Sequence, residues 1–425
     1  MSGLTLYNTT AGMFGRQQSL YDLQHPEVIA DPWGWYRSLL AGRGPRWDPT
    51  VRSWLVARHA DVSRVLTDLR FSAVADHTRA ARCAPAALRR IYPLLDGHVS
   101  FVDPPDHTRL RGVLADRFKP RHVQALDSFI RDAIAGALDR AAAAGRMEVM
   151  ADLAVPVPML VIQRALGLDG VDVATLRRWS NAWGNVVAAP GHLPTGDISI
   201  LITDIGELIG FLRQAVARCR TRPDDTLTGM LVAAADDGAL SEDELIGNLM
   251  MLVTAGNETT ASLIGNAVAA LAQRPRLADQ LRVQPDLLPT AVEELARLYP
   301  ATQYTVRTAR ASMTISGRRV EGGQAVVLML AAANRDPEAF PSPDTFRLDR
   351  PATPRHVTFG HGPHFCFGAA LARLEIRLVL AAVLHRCADL RLAGEPRWRP
   401  NHNLRGLQAL PVTFRPCCFA PGGTR

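Results

Sequence analysis

Lysine is almost missing from this 425-residue chain: of its 48 basic residues only Lys119 is not arginine. The skew points to a GC-rich coding sequence rather than to a binding surface. There is no block of five or more basic residues and no interleaving of aromatics with arginines, so the usual signatures of nucleic-acid binding are lacking. The net charge of +7 still admits an acidic protein partner. Long apolar runs are missing as well. ISILITDIGELIGFL comes nearest, and Asp204 and Glu207 break it short of the roughly 18 residues that mark a span. The opening MSGLTLYNTTAGMFGRQQ has no basic segment followed by an apolar one, so neither a secretion signal nor a membrane anchor is expected. Cys83, Cys219, Cys366, Cys387, Cys417 and Cys418 form no CxxC pair and no disulfide framework, which suits a reducing cytoplasm. Internal repeats, flexible Gly/Ser linkers and flavin or nicotinamide fingerprints are also lacking.

What is present reads as a large, mainly α chain with a small β part. Hydrophobic residues make up 47%, ample for one extended core. Helical patterns are predicted near 26–41, 59–68, 106–118, 122–144, 153–167, 172–188, 197–220, 226–236, 241–273, 287–298 and 367–386. The longest opens with SEDE, Ser241 as N-cap and Glu244 three residues on, which is a capping box. It stops at Arg274-Pro275. The β signal is confined to VRTAR, SMTISGRRV and QAVVLMLAAAN between 306 and 334, with a weaker pair near 403–415. The Pro-, Asp- and Arg-rich segment that follows residue 334 reads as a long ordered loop, a wrap of functional or structural use. A single domain over 1–425 is expected, with a short flexible segment at about 1–20.

Two stretches carry chemistry. TAGNETTAS, residues 254–262, puts Asn257, Glu258, Thr259 and Thr260 into the middle of the longest apolar helix. FGHGPHFCFGAALARLE, residues 359–375, places Cys366 between a glycine turn and the start of a helix. There the helix dipole and unpaired N–H groups favour thiolate over thiol. Three readings of Cys366 stay open on these grounds: a small buried hydrophobe, a zinc ligand with His361 and His364 completed by His385 or Cys387, or a thiolate that holds haem iron.

FGHGPHFCFG resembles the haem loop of the cytochrome P450 family, Phe-Gly-x-Gly-x-His-x-Cys-x-Gly. AGNETT is similar to that family's oxygen-activating helix, EELARLYP to its Glu-x-x-Arg helix, DPPDHTRLR to the helix that reaches the haem propionates, and NRDPEAFPSPDTFRLDR to the segment leading to the cysteine loop. HPEVIADPWGWYRSL and WDPTVRSWLVARHADVSRVL are similar to the opening of the soluble bacterial branch. The motifs run in family order through nearly the whole chain. Phe367 departs from the pattern, where an aliphatic residue is usual; altered packing near the sulfur is expected, not altered ligation.

The resemblance implies the cytochrome P450 fold, with haem b between the long central helix and the cysteine loop. It implies a haem-thiolate monooxygenase that uses dioxygen to hydroxylate, epoxidise or couple a mainly apolar small molecule in natural-product biosynthesis. By resemblance Cys366 is the axial ligand, and Glu258 with Thr259 form the acid–alcohol pair that delivers protons. His107, Arg111, Arg307 and His364 would hold the propionates. Thr259 lies one turn after Ala255, so its hydroxyl can bond back to that carbonyl and loosen the helix. Gly256 would let a flat ligand approach, and Thr260, about 100° round the helix from Thr259, is expected to be structural. Arg109 is left out of the site for the same reason of facing. Glu294 and Arg297 would pair with Arg350, or failing that Arg347, as a structural lock. Electrons would come from a separate ferredoxin and its ferredoxin reductase, docking near Arg111, Arg117, Lys119 and Arg121. Residues 72–100, 172–200, 248–256, 299–305 and 403–408, with Arg79, Arg82, Arg89 and Arg90 among them, would line or cover the pocket. A haem-thiolate sensor would not need Glu258 and Thr259, and a zinc module would not need the rest.

Overall fold

The capping box written in SEDE closes on itself. Ser241 Oγ accepts the Glu244 N–H at 3.2 Å, and the Glu244 carboxylate accepts the Ser241 N–H at 2.8 Å. Two orphan donors of the first turn are satisfied there. The helix that follows, Glu242–Ala272, has 31 residues, about 46 Å at 1.5 Å per residue.

The structure is a computed structural model and describes residues 18–74, 91–188 and 198–417. Its helices of eight or more residues are α1 (Trp33–Leu40), α2 (His59–Thr67), α3 (Asp106–Ala115), α4 (Asp127–Ala142), α5 (Pro156–Leu166), α6 (Val173–Ala188), α7 (Ile198–Thr221), α8 (Leu227–Asp236), α9 (Glu242–Ala272), α10 (Pro275–Val283), α11 (Leu288–Leu298) and α12 (Ala369–Arg386). Its strands are β1 (Arg46–Asp48), β2 (Ser53–Val56), β3 (Phe71–Ser72), β4 (Arg146–Glu148), β5 (Thr305–Ala309), β6 (Met313–Ile315), β7 (Arg318–Val320), β8 (Ala325–Leu328), β9 (Cys387–Leu392), β10 (Arg397–Trp398), β11 (Leu407–Ala409) and β12 (Pro411–Pro416). The chain forms two compact units.

The larger unit takes in 73–292, 366–396 and the segment from 409 on. It is helical, with one three-stranded sheet in the order β4-β12-β9. Helix α9 is its hub and packs against α5, α6, α7, α8, α10 and α12. Trp183, Leu208, Leu212, Leu245, Leu249 and Val253 sit in one continuous apolar cluster, each fully buried. Close approach is bought with glycine. A β-carbon on Gly247 would lie 2.3 Å from the Leu94 carbonyl oxygen, and one on Gly265 would lie 2.4 Å from Met150 Sδ. Asn248, next along the helix, donates to the carbonyls of Gly97 (2.9 Å) and Glu244 (2.7 Å) and accepts from Val99 N–H (3.1 Å).

The smaller unit takes in the chain up to residue 72, with 293–365 and 397–408. Its sheet runs β1-β2-β8-β5-β3, with β2 and β8 parallel and the other neighbours antiparallel. The β6–β7 hairpin turns at Ser316 and Gly317, both at positive φ (42° and 77°), the two-residue turn that matches strand twist. The expected structural lock is formed here. Arg297 grips Glu294 with Nε at 2.7 Å and a second guanidinium nitrogen at 2.8 Å, and Arg350 Nε reaches the same carboxylate at 2.7 Å. Arg347 contributes only its backbone N–H, at 3.0 Å, and spends its side chain on Asp349. Burial opposes ionisation of Glu294; the hydrogen bonds from the two arginines overcome it and hold the carboxyl below the ordinary glutamate range.

Several expectations need correction. The helix expected at 26–41 breaks at Asp31-Pro32 into Pro26–Ala30 and α1, because a residue before proline is steered out of the α region. The helix expected at 122–144 is a short turn, Pro120–Gln124, followed by α4. In QAVVLMLAAAN only β8 is strand; Leu330–Ala333 is a helical turn, as its alanines favour. The β signal is not confined to 306–334 and 403–415, since β1, β2, β3, β4 and β9 lie outside both. The long loop is ordered: Asn334, fully buried, accepts Val357 N–H at 2.7 Å and donates to Thr358 Oγ1 at 2.8 Å.

Two predictions follow from packing. Glu294→Gln leaves two arginines without their counter-charge and should cost about 3–5 kcal/mol; chemical denaturation of the holoprotein measures it, and a loss within error would show the lock to be idle. Glu375 on α12 is 2% exposed, and burial alone raises its pKa well above the ordinary glutamate value. The native state therefore holds a proton that the unfolded chain releases above about pH 4.3. Its contribution to stability is full below that pH and is lost as pH rises. Glu375→Gln should accordingly gain on the native protein in unfolding free energy as pH rises above about 4.3, by at most about 1.4 kcal/mol per pH unit until the native carboxyl itself ionises; a constant difference would mean that the carboxyl is not held neutral.

Candidate active site

A helix N-terminus supplies the setting of Cys366. The loop ends in the single turn Gly362–His364, and α12 begins three residues after the cysteine. The Gly368 and Ala369 N–H groups donate to the sulfur, and Arg111 and Arg373 stand close enough to favour its charge. Burial outweighs them and pushes the thiol pKa up. The expectation that the dipole and N–H groups would leave a thiolate is thus reversed for the chain alone, and a cation must complete the ionisation. The Cys366 residue itself is exposed.

The middle of α9 tells the same story. Leu245–Val253 and Thr260–Ala272 are buried throughout, yet between them Ala255 is exposed and Thr254, Gly256, Glu258 and Thr259 are half-buried. Thr259 Oγ1 donates to the Ala255 carbonyl at 2.7 Å, the back-bond expected from its spacing, and Thr254 Oγ1 donates to Met250 O at 3.1 Å. Thr260 is buried. Gly256 does something other than expected. A β-carbon there would meet Ile162 of α5 at 3.1 Å, so the glycine serves helix packing and not a ligand. Helix α12, which follows Cys366, packs on α9. A thiol with an open side and an opened stretch of hydroxyl and carboxylate on a helix otherwise buried make a donor set and a cradle that fit a flat, iron-bearing group with an axial sulfur.

In the larger unit His107 is buried, and Arg111 lies one turn further along α3. The Arg111 guanidinium sits 4.2 Å from the Phe367 ring centroid, and Phe367 in turn lies 6.0 Å from Phe118. Phe367 therefore packs the side of the cysteine turn. In the smaller unit Arg307, on β5, is buried and donates to Val306 O at 2.8 Å, and His364 closes the turn before the cysteine. Arg79, Arg82, Arg89, Arg90, Cys83 and Cys418 lie outside the described residues. Among the described residues no cluster of three or more His, Cys, Asp or Glu is placed to hold a metal ion.

The expected basic stripe is internally compensated. Asp116 takes Lys119 at 2.5 Å, Arg121 at 3.3 Å and His122 at 3.7 Å, and Arg117 reaches Asp225 at 3.6 Å. Sequence reading missed this because Asp116 falls between the basic residues without periodicity. It also missed Gly184 on α6, whose position only the fold reveals.

Residues 208–406 match the family model described as Cytochrome P450. The chain is 36% identical over 401 residues to cytochrome P450 monooxygenase PikC of Streptomyces venezuelae, covering 92% of each. It is 32% identical over 375 residues to polyketide biosynthesis cytochrome P450 PksS of Bacillus subtilis, covering 87% of this chain and 91% of that one. The crystal structure of CalO2 superposes with a TM-score of 0.86 at 32% identity, over 94% of this chain and 98% of the other.

If the Arg111–Phe367 contact contributes as cation–π pairs do, Phe367→Leu should keep an unchanged haem spectrum and lower holoprotein stability by about 1 kcal/mol. An unaltered denaturation midpoint would show the contact to be neutral, and an altered spectrum would show that Phe367 acts on ligation.

Proposed function

This chain belongs to the cytochrome P450 family, and we propose that within it Cys366 is the haem ligand, Glu258 and Thr259 deliver protons, and His107, Arg111, Arg307 and His364 bind the propionates. The family is haem-thiolate and carries haem b, and the chain is accordingly a monooxygenase whose turnover takes dioxygen and electrons from a redox partner. The observation that supports the residue assignment is the open stretch of α9, together with the exposed Cys366 three residues before α12, the helix that packs on α9.

When bound, the haem supplies reductive activation of dioxygen and insertion of one oxygen atom into the substrate. The side chains do the rest. With its proton on the Ala255 carbonyl, Thr259 Oγ is left as an acceptor on the open face, able to hold a donor such as water in place. A carbonyl has two lone pairs, so the Ala255 oxygen can take the hydroxyl beside its helix bond, and the hydroxyl can turn and pass its proton on. Glu258, adjacent in sequence, replenishes it as general acid. Gly368 and Ala369 N–H groups and Arg111 steady the negative charge on Cys366 Sγ once it is ligated. His107 and Arg111, four apart on α3, would present an imidazole and a guanidinium to one side.

The electron donor in this reading is a ferredoxin served by its reductase, because the chain carries no flavin or nicotinamide motif of its own. The substrate is a mainly apolar metabolite of natural-product type; the relative named for polyketide biosynthesis supports that class. We read the chain as one catalytic domain and place it in the cytoplasm, where its free Cys219, Cys387 and Cys417 would stay reduced. No described helix is long and apolar enough to cross a membrane.

Carbon monoxide added to the reduced holoprotein should give the strongly red-shifted Soret band of thiolate ligation, and Cys366→His should abolish the shift while haem stays bound; a retained shift would remove Cys366 from its role. Thr259→Ala should retain haem and that band yet divert electrons to hydrogen peroxide, the ratio of peroxide to product rising by about two orders of magnitude, the low end of general acid–base effects. Unchanged product yield per electron would refute the relay.

A further inference from the structure

Glycine in a helix interior costs about 1 kcal/mol relative to alanine and calls for a reason. Gly184 lies inside α6, which packs against α9. A β-carbon on it would lie 3.4 Å from Thr254 Cγ2 and 3.6 Å from Glu258 Oε2. The backbone of α6 thus comes up to the part of α9 that carries Thr254 and Glu258, residues one turn apart and so on one face. The Thr254 hydroxyl is turned away to Met250 O, which leaves its methyl toward Gly184.

Glu258 occupies a border. Thr254 is about 40° from it around the helix, while Ala255 and Thr259 are about 60° and 100° away on the other side. Its side chain is long enough to rest against α6 or to swing toward the exposed face of Ala255 and Thr259. Buried polar atoms without a protein partner lie beside the contact in sequence: Ser180 Oγ one turn earlier on α6, and Asn257 Oδ1 immediately before Glu258. Atoms of this kind ordinarily hold ordered water.

We propose that Gly184 is a positioning residue for Glu258: its missing side chain lets the carboxylate rest against α6 at the edge of the open face, from which it serves Thr259. This rests on the reading of Glu258 as the proton donor. An alanine fits at ordinary contact distance. A β-branched side chain adds atoms where the Thr254 methyl and the carboxylate already are, and the carboxylate is the freer of the two to leave.

The test uses holoprotein with a surrogate plant-type ferredoxin and reductase, and reads the fraction of electrons recovered as hydrogen peroxide. A second readout, independent of turnover, is the infrared stretch of carbon monoxide on the reduced protein. Gly184→Val should raise the peroxide fraction several-fold and shift the stretch, with haem content unchanged, while Gly184→Ala keeps both near native. In the Glu258→Gln background the valine should add nothing to either readout. A valine variant that matches the native protein, or one whose effect persists in full without the Glu258 carboxylate, overturns the proposal. Glu258→Gln alone leaving the peroxide fraction unchanged would instead overturn the reading of Glu258. Should the valine variant lose haem, Gly184→Ser takes its place under the same criteria.

Discussion

One helix has to be buried on every side and still keep one stretch of its surface open. Helix α9 is the hub of the larger unit, and most of its residues are within the core. Buried polar groups ordinarily need partners, so a carboxylate and hydroxyls at 254, 258 and 259 would be a liability in a helix with no opening. The opening at 254–259 resolves it. Thr259 and Thr254 satisfy their hydroxyls on the preceding turn, and Glu258 lies at the edge of the opening. The helix itself carries glycine where its neighbours come closest: Gly247 under Leu94, Gly256 under Ile162 and Gly265 under Met150.

The cysteine shows the complementary balance. A helix N-terminus, two N–H groups and two arginines all favour the anion, and burial still wins. A thiol ionised without a counter-cation would be a reactive nucleophile. A thiol that ionises only against a metal cation keeps its charge neutralised at all times. Arg111 is itself pulled below its usual range by burial, and the sulfur is the group that favours its charged form. Phe367 flanks it with a π face, a neighbour that asks no proton of it.

The parts of the fold legible in the sequence were those specified by local chemistry. The SEDE box, the proline stops and the Thr259 back-bond need only residues within one or two turns of each other. The Cys366 loop was legible because ligation constrains identity at fixed spacing. What stayed hidden depends on contacts distant in sequence. Strands β1 and β2 are three and four residues long, too short to show alternation, and β2 exists because β8, some 270 positions later, lies alongside it in register. Gly256 and Gly184 look alike as mid-helix glycines; only the neighbours, an isoleucine for one and a carboxylate for the other, separate their roles. Arg350 was the lock partner expected first, ahead of Arg347, and its guanidinium does reach Glu294 while the Arg347 side chain pairs with Asp349.

Charge on α3 and the turn after it leads to a similar distinction between count and effect. Arg117, Lys119 and Arg121 together with His122 suggest a strongly positive surface, but Asp116 and Asp225 take up most of it through pairs of 2.5 to 3.7 Å. Lys119 lowers the pKa of Asp116 first through its hydrogen bond, so the acid stays ionised across the physiological range and the compensation persists. A partner approaching this face meets dipoles more than a net field. Steering at long range falls off with net charge and is screened over about 8 Å at physiological salt, whereas short-range pairing depends on which arginine can exchange an internal carboxylate for one on the partner. Because every such exchange conserves the number of ion pairs, an acidic partner at this face would be selected by geometry of fit rather than by overall attraction.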